Sequence, residues 1–71
     1  MSIPFALERD MNVKLVMYNS MAKEVAQMFE GQLPQGAYAV PFNLDKVPAG
    51  LYYYRLASEG TVQTRTMVVV H

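Results

Sequence analysis

Seventy-one residues with six acidic and six basic side chains, no cysteine and zero net charge make one small domain, residues 1–71. The balance leaves no basic footprint for nucleic acid and no polybasic patch for an anionic membrane, and the missing cysteines exclude disulfides and thiolate metal sites. No apolar run approaches the roughly 18 residues that span a bilayer, which predicts no integral membrane segment.

The apolar share is 52%. A core this small is marginal, so the domain is expected to bury much of its surface or to pair strands with a neighbour.

The pattern along the chain is almost all period two, which predicts half-buried strands. Ile3, Phe5 and Leu7 alternate before the polar turn Glu8-Arg9-Asp10. Val13, Leu15 and Met17 form a second strand that ends at Asn19-Ser20. Residues 25–29 read as a third, closed by Glu30-Gly31, with Leu33-Pro34-Gln35-Gly36 as a loop. A helix over residues 21–29 is the alternative there, because Val25, Met28 and Phe29 also fit helical spacing and Lys23 and Glu24 favour helix. Tyr38, Val40 and Phe42 mark a fourth strand, followed by a longer connection over residues 43–50. Residues 51–58 and 61–70 are the fifth and sixth strands, joined by the turn Glu59-Gly60. No internal repeat or linker is read. Six strands with regularly spaced turn signals predict an all-β antiparallel sandwich.

Catalytic chemistry finds no footing. His71 is the only histidine, and neither a cysteine nor a carboxylate cluster accompanies it. The serines lack a nucleophile elbow, the glycines are too scattered to cradle phosphate, and a glycosidase-like carboxylate pair has no cleft in so small a chain. The expectation is a non-enzyme without cofactor.

Recognition features are more numerous. Alternation sends Tyr52, Tyr54 and Leu56 to one face, expected to be the core, and Leu51, Tyr53 and Arg55 to the other. Tyr53, with Tyr38 or Tyr18, is a candidate sugar-stacking platform. Gly50 after Pro48 is expected to adopt positive φ, and Gly36 and Gly60 read the same way. Met67, Val68, Val69 and Val70 put apolar groups on both faces of the last strand. That strand is central and covered on both sides, or adds to a partner's sheet by β-augmentation, or is an exposed sticky edge.

These segments together resemble the C-terminal sorting domain of type IX secretion cargo. The resemblance rests on Val13-Lys14-Leu15-Val16-Met17-Tyr18-Asn19, then Glu24-Val25, then Gly36 before Tyr38-Ala39-Val40-Pro41-Phe42. It continues through Pro48-Ala49-Gly50-Leu51-Tyr52 and the closing strand up to Val70. It implies an immunoglobulin-like sandwich of six to seven strands at the end of a larger secreted protein. It further implies a signal that directs its parent across the outer membrane through the type IX translocon and is then removed by a sortase-like peptidase. Transit would run through the periplasm to the cell surface or medium.

Because residues 1–7 have no basic n-region, the export signal is expected on an upstream part of the parent. By this carry-over Pro48, Gly50, Tyr52, Met67, Val68, Val69, Val70 and His71 are the candidate recognition residues.

Three departures from the family pattern stand out. Ala22 occupies the turn position where Gly is usual, so positive φ there costs about 1 kcal/mol. Thr66 and His71 stand where Lys is common, and the segment before the first strand is missing. An incomplete first strand and an apolar last one predict a strand-paired or strand-swapped homodimer. The rival readings are an immunoglobulin-like structural spacer and a small carbohydrate-binding module.

Overall fold

The computed structural model describes residues 2–45 and 47–70. It is all-β, with β1 (Ser2–Leu7), β2 (Met11–Asn19), β3 (Glu24–Leu33), β4 (Gly36–Pro41), β5 (Gly50–Ser58) and β6 (Thr61–Val69). Two antiparallel sheets form the sandwich: a two-stranded sheet β1-β4 and a four-stranded sheet in the order β3-β2-β5-β6. The architecture is the six-stranded all-β sandwich expected from the alternation.

β2 is an inner strand of the large sheet, and its odd positions from Met11 to Met17 are all apolar. Met11, Val13, Leu15 and Met17 are all buried on the inner face. Each fully buried side chain of this size contributes about 1.5–3 kcal/mol relative to exposure. The core divides into two clusters along this strand. One gathers Leu7, Met11 and Val13, with Phe5, Phe29, Leu33, Tyr38 and Leu56 packed against them. The other gathers Met17, Val47, Tyr52 and Val69, with Met28, Phe42, Leu44 and Met67 around them.

β3 is the strand expected over residues 25–29 and not the helical alternative, but it departs from the sequence reading in length, running past Glu30-Gly31 to Leu33. The register against β2 shifts between Leu15 and Val16 and again between Met17 and Tyr18, leaving Met28 and Val25 as extra residues on β3. Two bulges three residues apart imitate helical spacing, which explains the ambiguity of that segment. Gly31 does not end the strand because it sits opposite Val13 with the Phe29 ring beside it. A Cβ there would lie 3.4 Å from Phe29 Cζ, so the neighbouring ring covers what Gly leaves bare. Lys14 and Glu30, paired across the strands, add an exposed ion pair at 3.8 Å.

β6 corrects a second expectation. The reading that it is central and covered on both faces fails, because the strand order puts it at a sheet edge. Of its apolar tail only Val69 is fully buried, at 2% exposure, whereas Val68 and Val70 are 68% and 78% exposed. The four consecutive apolar residues therefore do not mark a double-sided burial.

Candidate functional site

The connection from β4 to β5 is built from local hydrogen bonds. Asn43 Oδ1 accepts the Asp45 N–H at 2.9 Å, an Asx turn, and the Val47 N–H donates to the Leu44 carbonyl at 3.0 Å. This delivers Val47 into the core, and Pro48 then fixes the entry to β5. Gly50 takes φ 153°, a conformation that side chains rarely adopt. Two residues later the Tyr52 hydroxyl reaches back and donates to the Pro48 carbonyl at 2.7 Å, closing the corner.

The register of the last hairpin brings the tail to this corner. Gly50 faces Val69, Leu51 faces Val68 and Tyr52 faces Met67. Pro48, Gly50, Tyr52, Met67, Val68 and Val69 thus form one continuous patch, with Val70 directly after it. His71 lies outside the described residues.

Within the patch the roles divide by burial. Tyr52 and Val69 point into the core beside Met17 and Val47, so they hold the surface and are not free to touch a partner. Pro48, Gly50, Val68 and Val70 are exposed. Leu51, at 44% exposure, lies beside them on the outward face that the alternation gives it, though it is not among the candidate residues read from the sequence. Its position was countable from the two-residue turn at Glu59-Gly60, which pairs Ser58 with Thr61 and thereby Leu51 with Val68.

The corner also has a twin, against the expectation of no internal repeat. Pro34-Gln35-Gly36-Ala37-Tyr38 repeats the Pro-x-Gly-x-Tyr spacing of Pro48-Ala49-Gly50-Leu51-Tyr52. Gly36 takes φ 154°, and the Tyr38 hydroxyl donates to the Pro34 carbonyl four residues back. Its ring stacks on Phe5 at 5.5 Å between centroids.

The tyrosines expected to serve as a platform separate accordingly. Tyr38 is committed to Phe5, in register with the small sheet, and does not join Tyr53. Tyr18 does join it, directly across the β2–β5 ladder. The Arg55 guanidinium lies 5.2 Å from the Tyr18 ring centroid, a cation–π contact. Tyr18, Tyr53, Arg55, Ala22 and Thr64 line a depression on the outer face.

Ala22, in the turn from β2 to β3, has φ 63°. Asn19 braces that turn, its Oδ1 accepting the N–H groups of Met21 and Lys23 and its carbonyl that of Ala22. Among the described residues no three His, Cys, Asp or Glu side chains converge to hold a metal ion, and no helix is long and apolar enough to cross a membrane. Compared with known proteins, the chain matches no family model, and neither a curated protein nor a solved structure matches it.

Proposed function

We propose that this domain is a non-catalytic sorting signal of the type IX kind, which presents a folded patch to the outer-membrane translocon on behalf of a parent protein. The observation that carries the reading is the adjacency of the Pro48-x-Gly50 corner and the last strand, with Gly50 opposite Val69. The exposed residues of both motifs, Pro48, Gly50, Val68 and Val70, lie near one another over the buried Tyr52 and Val69. A second support is Ala22, whose φ of 63° is the conformation served by the Gly usual in the family at that turn.

The mechanism is presentation. Buried anchors and the Tyr52–Pro48 hydrogen bond fix the patch before any partner arrives, which lowers the entropy lost on binding. Passage through the periplasm, release by a sortase-like peptidase and arrival at the cell surface or medium follow from this reading.

The test is a secretion assay in a bacterium with a working type IX system. The domain is fused behind a signal peptide and a fluorescent reporter, beside a Leu51→Asp/Val70→Asp variant. These positions are preferable to deletion of residues 67–71, which would also remove the core residue Val69. Reporter outside the cell with the native domain, and retained with the folded double variant, is the expected result. Retention of the native, folded domain would leave the spacer or a binding module as the better reading.

One observation favours the carbohydrate reading: Tyr18 and Tyr53 side by side on the outer face, with Arg55 over one ring. It requires saccharide-dependent quenching of tyrosine fluorescence that disappears in Tyr53→Ala.

A further inference from the structure

The two sheets of the described residues have four outer strands, β1, β4, β3 and β6, and exposed backbone at such edges invites pairing with other chains. Three of the four carry features that blunt it. β1 contains Pro4 and β4 ends at Pro41, each without a backbone N–H to donate. β3 carries the two bulges and the exposed acids Glu24 and Glu30.

β6 carries none of these. It is nine residues long, without Pro, Gly or a register shift against β5, and has a single charged side chain, Arg65. Its outer face shows Val62, Thr64, Thr66 and Val68, β-branched and exposed, which is the side-chain type that strands favour.

The order of those residues identifies the occupant. A strand that pairs antiparallel with its own copy in a continuous sheet has a two-fold axis through one residue, and positions equally far from that residue face each other. Read outward from Arg65, the outer face is the same in both directions: Thr64 and Thr66, then Val62 and Val68. We propose that β6 pairs with β6 of a second copy about an axis at Arg65, joining two four-stranded sheets into one of eight.

In this register Val62 meets the partner's Val68 and Thr64 meets the partner's Thr66, and all nine residues of β6 overlap. Shifting the axis to Thr64 shortens the overlap and sets Val62 against Thr66 and Val68 against Gly60. Zero net charge leaves no long-range repulsion between copies. Arg65 meets itself at the axis, and like charges directly opposite weaken a strand pair. The dimer is therefore reversible. It does not depend on the secretion reading; where both hold, self-pairing and the translocon compete for the same strand.

Sedimentation equilibrium of the native domain from micromolar to millimolar concentration is expected to give a monomer–dimer equilibrium. Val62→Lys and Val68→Glu each weaken it by about tenfold or more. The double variant Val62→Lys/Val68→Glu recovers most of the loss, because the introduced cation and anion face each other twice across the axis. Circular dichroism checks that each variant stays folded, as expected for side chains already exposed. In a chain without cysteine, Arg65→Cys crosslinks to itself on oxidation and Thr64→Cys does not.

A native domain that stays monomeric throughout overturns the proposal. So does a double variant no better than its parents, or equal crosslinking at both cysteine positions.

Discussion

The two Pro-x-Gly-x-Tyr corners share a local design and differ in what lies behind them. In both, the Gly takes φ near 153° and the Tyr hydroxyl closes the turn onto the Pro carbonyl. Tyr52 is buried among Met17, Val47 and Val69, whereas Tyr38 is only partly buried at the edge of the other cluster, stacked on Phe5. The backbone solution is thus independent of burial, and the energetic weight of the corner comes from the ring. A short motif states how the chain turns; the surrounding core decides how much depends on the turn.

Replacing the rings should separate the corners most widely. Tyr52→Ala is expected to destabilise by about 3–5 kcal/mol, the range for emptying a buried aromatic site, and Tyr38→Ala by about half of that. Chemical denaturation of both variants checks it, and equal losses would break the comparison.

Replacing the glycines should instead make the corners equivalent. Gly50→Ala and Gly36→Ala are each expected to cost about 1–3 kcal/mol from backbone strain. No steric clash adds to either, since the nearest atoms to an added Cβ are ordinary van der Waals neighbours at 3.8 Å. A large difference between them would mean that the backbone solution is not shared.

The smallest effect lies at Ala22, where positive φ is held without a glycine. Ala22→Gly should stabilise by about 0.5 kcal/mol, relief of left-handed strain less the greater freedom of the unfolded chain. A thermal melt that shifts downward would show that the strain is absent.

Much of this fold could be read from alternation, and the exceptions have identifiable causes. β1 and β5 follow period two through unshifted ladders, as does β2 from Met11 to Leu15, before Val16 is buried on its other face as well. β3 could not be read cleanly, because its bulges at Val25 and Met28 shift the apolar residues from one phase of the pattern to the next. The edge position of β6 was not legible at all. Strand order is set by which ladders form between distant segments, and Met67-Val68-Val69-Val70 reads the same at an edge as in a centre. For the proposed recognition patch, Pro48, Gly50 and Tyr52 were readable as a motif, but the division into buried and exposed residues needed the second sheet. Leu51 was the omission that counting from Glu59-Gly60 would have repaired.

The division of the core into two clusters also shapes how the molecule comes apart. Apart from Leu56, the cluster around Leu7, Met11 and Val13 is complete within residues 2–41, where β1–β4 closes over β2–β3. The cluster around Tyr52 and Val69 needs the β5–β6 hairpin, whose only ladder to the rest of the sheet is the one with β2. Opening of the hairpin would leave the β1–β4 and β2–β3 ladders of the first 41 residues in place while stripping Leu56 from the first cluster. Its departure uncovers an inner strand of the large sheet that is normally shielded on both flanks. Another copy's β5–β6 hairpin has the same sequence and would meet the same edge of β2, so any exchange of segments between molecules would pivot on the connection between β4 and β5.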